Sequence, residues 1–150
     1  MIAVIQRVLR ASVKVDGKVV GECGHGLAIL LGVARGDSAE DADKLMAKIS
    51  KLRIFCDENG KMNLSVNDVG GSALVISQFT LLANYAKGNR PDYFNAAPPD
   101  EANPLYEYFC EGFEKLIPGD VGRGIFGADM ECEFINNGPV TIVMDSKVLS

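Results

Sequence analysis

The segment Asn136-Asn137-Gly138-Pro139-Val140-Thr141 places a proline inside a stretch that otherwise reads as a strand. Met130, Cys132 and Phe134 precede it at every second position, and Val140, Ile142 and Val143 follow. Proline donates nothing to a sheet ladder, which confines it to an edge, a strand start or a turn. Glycine directly before it relieves the clash that proline imposes on its predecessor. The sequence therefore predicts two closing strands flanking a specially shaped turn, with carbonyls and amides free to contact something.

The remainder of the chain is built for a core. Of 150 residues, 47% are hydrophobic and only 23% charged, which predicts one packed domain over residues 1–150 and argues against disorder. No apolar run is long enough for a membrane span. The opening Met1-Ile2-Ala3-Val4-Ile5-Gln6-Arg7 lacks the basic, apolar and cleavage regions of a signal peptide, so a cytoplasmic protein is expected. Cys23, Cys56, Cys110 and Cys132 are scattered without a CxxC pair, which favours buried reduced thiols over disulfides or structural zinc. A net charge of −5 argues against broad nucleic-acid binding, yet leaves room for recognition of one nucleic-acid end in a small pocket.

Strand signals dominate the first third. Ile2 to Val8 and Ser12 to Val15 lead into Asp16-Gly17, a tight hairpin signal, and Val19-Val20 return. Gly26 to Val33 is continuously apolar, the mark of a strand covered on both faces. Ser38 with Asp41 three positions on forms a capping-box pattern, and Ala42, Leu45, Met46, Ile49 and Leu52 give one apolar helical face. Lys44, Lys48 and Lys51 form its solvated side. Ser72 to Leu82 reads as a strand, and residues 83–98 as a long polar loop of the kind that is often functional. A second helix is predicted from an Asn103 cap with Pro104 in its first turn, with Leu105, Tyr106, Phe109, Phe113, Leu116 and Ile117 buried, stopping at Pro118-Gly119. Gly119, Gly122, Gly124 and Gly127 read as a flexible connector; without a preceding strand and following helix they are no dinucleotide-binding fingerprint. The expected architecture is a single compact α/β domain: a mostly antiparallel, curved sheet with two main helices.

Conventional catalysts are scarce. The one histidine, His25, lies between two glycines in a predicted surface turn, which disfavours a Ser-His-Asp triad. No carboxylate cluster has metal-ligand spacing and no P-loop occurs, so neither metal nor cofactor is expected. Such a chain must use backbone donors, hydroxyls or its substrate's own groups. Ser77-Gln78-Phe79-Thr80-Leu81 offers the best hydroxyls, where an apolar strand runs out into the long loop. Two readings fit it. Gln78 and Thr80 are the solvent-facing positions of a half-buried strand, or the backbone N–H groups at the strand end form an oxyanion hole.

Four stretches, in order and similarly spaced, resemble the D-aminoacyl-tRNA deacylase family: Met1 to Val8, Ser77-Gln78-Phe79-Thr80-Leu81, the Arg90-Pro91 loop, and Asn137-Gly138-Pro139-Val140-Thr141. The resemblance spans essentially the whole chain. It implies hydrolysis of the ester between a D-amino acid and the 3′-terminal adenosine of tRNA, within a homodimer whose active sites lie at the subunit interface. Gly138-Pro139 would be a cis pair that enters the partner's pocket as a rigid wall against L side chains, fixed in place by Arg7. Because glycine has no side chain to reject, glycyl-tRNA, including glycine mischarged on alanine tRNA, would also be a substrate.

The same resemblance implies that the N–H groups of Phe79 and Thr80 hold the oxyanion, that Gln78 and Phe79 line the pocket, and that the tRNA 2′-hydroxyl helps activate water. Thr80, and after it Ser77, are the nucleophile candidates by chemistry, though neither has an evident base. Asn137, Val140 and Thr141 belong to the substrate-selecting segment with Gly138 and Pro139. Arg90, with Lys87 and Arg123, is a candidate phosphate contact, while Phe126 and Met130 either pack near adenine or in the core. Two alternatives remain: an editing deacylase for L-alanyl- or mainly glycyl-tRNA with a trans Gly-Pro, and a non-catalytic RNA-end binding module.

Overall fold

A computed structural model describes residues 1–150. Its chain order is β1 (Ile2–Val15), β2 (Lys18–Cys23), β3 (Gly26–Gly32), α1 (Ala39–Lys51), β4 (Phe55–Cys56), β5 (Met62–Leu64), β6 (Ser72–Ser77), a 3-10 turn (Phe79–Leu82), α2 (Pro99–Glu114), β7 (Val121–Arg123), β8 (Glu131–Asp145) and a final 3-10 turn (Ser146–Val148). The main sheet runs β2-β1-β3-β6-β7, with β8 on the other side of β1. β1 pairs antiparallel with β2, β3 and β8, whereas β3–β6 and β6–β7 are parallel. The parallel β3–β6 pair encloses α1 in its crossover, which is the connection that parallel neighbours require.

Both faces of this sheet are covered. Ala3, Ile5, Leu27, Ile29, Leu31, Ala73 and Val75 share a core of 26 buried residues with Leu45 and Ile49 of α1 and Phe109 and Phe113 of α2. The alternate positions Val8, Ala11, Val13, Ala28, Leu74 and Ile76 form a second core on the opposite face. That double covering explains the unbroken apolar run of β3. The sheet curls until its ends β2 and β7 meet: a Cβ on Gly122 would lie 2.5 Å from the Glu22 carbonyl oxygen, and one on Gly21 would collide with that of Arg123. Substituting Gly122 by alanine is expected to open this seam and to lower the unfolding free energy by roughly 1–3 kcal/mol, measurable by urea denaturation.

Several sequence expectations are corrected here. The glycine-rich stretch from Gly119 is not a flexible connector, because it carries β7 and closes the sheet. β6 ends at Ser77, not Leu82, and the chain then tightens into a 3-10 turn. α2 begins at Pro99 behind an extended Pro98, so Pro104 lies inside the helix and Asn103 is not its cap. Two successive prolines fix the entry, and Asp100 and Glu101 favour the positive helix end. The helix stops at Glu114, leaving Leu116 exposed while Ile117 stays buried. The region expected as two closing strands is one strand, β8, that carries the Gly-Pro segment as a bulge.

Capping of α1 follows the sequence: Asp41 Oδ2 accepts the Ser38 N–H at 2.9 Å. The thiols divide by burial. Burial pushes Cys23 and Cys110 up to about 11, whereas Cys56 and Cys132 are exposed. A thiol-reactive disulfide reagent at pH 8 is expected to modify two cysteines of the native protein quickly and all four only after unfolding. Four equally fast thiols would contradict this burial.

Candidate active site

The end of β6 opens into a cavity of about 570 Å³. Ser77, Gln78 and Phe79 form one wall, Tyr93, Ala96 and Ala97 of the long loop a second, and Ala102 on α2 a third. Phe126 and Met130 also line it, while each packs against a core cluster as well. Arg35 and Asp129 are its charged lining residues. The loop is pinned at this mouth: the Arg35 guanidinium lies 4.9 Å from the Phe94 ring centroid and donates to the Phe94 carbonyl. Phe79 meets Tyr93 edge to face at 4.9 Å. Tyr106 ties α2 to β6 by donating its hydroxyl to the Val75 carbonyl at 2.7 Å. Burial pushes the Tyr106 hydroxyl far up, so it remains a donor at any physiological pH.

The turn after β6 decides what chemistry the wall offers. Gln78 N–H still donates to the Leu31 carbonyl at 2.8 Å, as the last rung of the β3–β6 ladder. Phe79 and Thr80 follow as the first residues of the 3-10 turn, where N–H groups have no acceptor within the turn. Neither donates to a loop, turn or side-chain acceptor of the chain. Phe79 lines the cavity and Thr80 follows it in the turn, and two adjacent unpartnered N–H groups suit a developing oxyanion. The reading of Gln78 and Thr80 as strand alternation is excluded because no strand is present there. The Thr80 hydroxyl accepts from the Gln78 side-chain amide, and Thr80 does not itself line the cavity. His25 sits in its turn edge-to-face with Phe55 at 5.3 Å and also lies outside the cavity lining.

The Gly-Pro segment forms a second, separate element. β8 pairs Asn136 with Val8, and resumes pairing at Thr141 with Gln6, so Asn137 to Val140 stand out of the ladder. The Gly138-Pro139 bond is cis. Arg7, although charged, is buried on the helix-facing side of β1, two residues beyond Ile5. Its Nε donates to the Asn137 carbonyl at 2.8 Å and its Nη1 to the Ile54 carbonyl at 2.7 Å. Gly138 has φ +150, and a Cβ there would lie 2.7 Å from Val140 Cγ2 and 3.2 Å from Arg7 Nη2. Val140 is buried, while Gly138 and Pro139 are exposed and do not line the cavity of their own chain. Arg90 and Lys87 are exposed on the loop, also outside the lining.

Sequence reasoning missed Arg35, Tyr93, Ala102 and Asn136. The first three reach the cavity only through folding and have no local signature. Asn136 had one, since an asparagine just before an irregular turn commonly bonds nearby main chain.

With this geometry in view, comparison with known proteins is direct. The sequence profile of the D-Tyr-tRNA(Tyr) deacylase family matches residues 4–145. The D-aminoacyl-tRNA deacylase of Persephonella marina is 59% identical over 149 residues, covering 99% of this chain and all of that one. That of Anaeromyxobacter dehalogenans is 56% identical over 149 residues, with 99% of each chain covered. Among solved structures, a c-Myc DNA unwinding element binding protein superposes with a TM-score of 0.91 at 41% identity, covering 97% of this chain and 98% of that one. A probable eukaryotic D-amino acid tRNA deacylase shares the fold, with a TM-score of 0.81 at 17% identity over 96% of this chain and 98% of that one. Near-full-length identity at this level, on a fold that joins the Ser77–Thr80 turn to a cavity and holds the Gly-Pro bulge on Arg7, shows that the chain belongs to the D-aminoacyl-tRNA deacylase family.

Proposed function

We propose that the cavity beyond β6 hydrolyses the ester joining a D-amino acid to the 3′-terminal adenosine of tRNA, releasing free D-amino acid and reusable tRNA. The observation that carries this reading is the pair of unpartnered N–H groups of Phe79, which lines the cavity, and of Thr80 beside it in the turn. Water attacks the ester carbonyl, and its oxygen takes up negative charge as the tetrahedral intermediate forms. The two N–H groups bind that oxygen more strongly than the ground-state carbonyl, which lowers the barrier. The tRNA 2′-hydroxyl assists in activating water, and the leaving 3′-oxygen takes a proton as the ester bond breaks.

Gly138 and Pro139 act from a second subunit. They are exposed and absent from the cavity lining of their own chain, so a homodimer with sites at its interface places one subunit's bulge against the other's cavity. There the backbone forms a wall where an L side chain would project, with Asn137, Val140 and Thr141 as its stem. A wall of this kind does not reject glycine, and glycyl-tRNA, including glycine mischarged on alanine tRNA, is a further substrate. The exposed cations Lys87 and Arg90 contact phosphates of the tRNA 3′ end, and Ser77 and Gln78 shape the pocket beside the ester. Such an enzyme works where translation occurs, in the cytoplasm; no helix is long and apolar enough to cross a membrane.

Hydrolysis of D-tyrosyl-tRNA, with L-tyrosyl-tRNA as control, tests the reading; equal rates on both would refute the chiral wall. Thr80→Ala keeps its N–H and is expected to retain turnover within about tenfold, because the hydroxyl is not the nucleophile. Near-complete loss of turnover with intact folding and tRNA binding would instead assign the hydroxyl to chemistry. Sedimentation of a monomer at micromolar concentration would remove the shared site.

A further inference from the structure

We propose that Asn136 is a positioning residue that sets the shape of the Gly138-Pro139 bulge and thereby the discrimination between D- and L-substrates. The inference rests on the reading of that bulge as the chiral wall. Five steps along β8, from Asn136 to Thr141, are set against two along β1, from Val8 to Gln6. A bulge of this size loses its ladder partners and needs others, because unpaired main-chain groups in a half-buried setting are costly.

The Asn136 side chain supplies them. Its Oδ1 accepts the Val140 N–H at 2.8 Å, and its Nδ2 donates to the Val140 carbonyl at 3.2 Å. The same Nδ2 reaches the Thr141 hydroxyl at 3.1 Å, which also accepts from Gln6 Nε2 at 3.4 Å. One amide thus stands in for a missing strand partner, satisfying both main-chain groups of Val140 and closing the neck of the bulge. Arg7 holds the opposite limb through the Asn137 carbonyl. With one limb on each clamp, the two exposed residues between them have a defined position.

Only a group with an acceptor and a donor on one planar head performs this task. The substitution Asn136→Asp keeps the acceptor for the Val140 N–H but sets a second oxygen against the Val140 carbonyl. The neck would then be held by one bond to the Val140 main chain instead of two.

The test compares hydrolysis of D- and L-tyrosyl-tRNA by the full-length protein and by Asn136→Asp, Thr141→Val and Arg7→Ala. Urea unfolding of each variant serves as a folding control. Asn136→Asp is expected to lower the D-over-L ratio of kcat/KM at least about tenfold, the effect of losing roughly one well-made hydrogen bond. Thr141→Val, which removes one of the three bonds, is expected to lower it less and in the same direction. A purely structural role would move the urea midpoint and leave the ratio where it was. If Arg7→Ala loses discrimination while both neck variants keep the wild-type ratio, the role of Asn136 is overturned and the chiral wall stands. If all three variants keep the ratio, the wall itself is wrong and the role of Asn136 falls with it.

Discussion

Phe79→Pro is expected to lower turnover of D-aminoacyl-tRNA by about 10²–10³-fold, the loss that follows removal of one oxyanion donor. The substitution deletes the Phe79 N–H at the first residue of a 3-10 turn, and a first helical position accommodates proline. It also deletes a ring that packs edge to face on Tyr93, so Phe79→Ala is the necessary companion. The alanine variant loses the same ring and keeps the N–H; its turnover is expected to stay within about tenfold of the unmodified enzyme. Single-turnover rates at saturating enzyme separate this effect from binding. If the two variants turn over at the same rate, the N–H does not hold the oxyanion and the assigned chemistry fails.

Arg7→Ala is expected to remove chiral discrimination and to destabilise the fold together. Arg7 has no carboxylate among its partners: its buried guanidinium is satisfied by the carbonyls of Asn137 and Ile54, with Cys56 Sγ at 3.5 Å. Hydrogen bonds from a charged donor contribute about 1.5–3 kcal/mol each, and truncation leaves the Ile54 carbonyl buried without its partner. A loss of roughly 2–4 kcal/mol in unfolding free energy is the expected result, read from urea denaturation. Arg7→Lys tests the geometry. Lysine keeps the charge but lacks the planar fork that spans two carbonyls, so it should restore part of the stability and little of the discrimination. Wild-type discrimination in a folded Arg7→Ala protein would detach the Gly-Pro bulge from its supposed support.

The parts of this molecule that were legible in the sequence are those governed by local rules. Ser38 and Asp41 announced the start of α1, Asp16-Gly17 the first hairpin, and the unbroken apolar run from Gly26 a strand covered on both faces. The errors fell where a distant contact overrode a local signal. Asn103-Pro104 looked like a helix start, but Pro98-Pro99 had already fixed the chain direction, and packing of Ala102 and Tyr106 carried the helix through Pro104. Gly119 to Gly124 looked mobile because glycine frees the local backbone. Gly119 and Gly122 are instead glycines because the chain there passes within contact distance of the Gly71 and Glu22 main chain, and Gly124 because Met130 Sδ packs against it.

For the site, the division is similar. Sequence alone named the Ser77–Thr80 and Asn137–Thr141 segments, since each breaks an apolar pattern in a way that local chemistry makes conspicuous. It could not separate a strand-borne row of polar side chains from a turn with free N–H groups, because both have the same residues. Only the end of the β3–β6 ladder at Gln78 decides that. Nor could it show that Arg7 is buried, since its bonds reach residues up to 130 positions away, whereas Asn136 bonds only four and five positions on and was open to a local reading. Composition and periodicity determined the elements and their apolar faces, because burial acts residue by residue. The tertiary structure alone decided which backbone groups remain unpaired, because a hydrogen bond depends on where its partner has been carried by the rest of the chain.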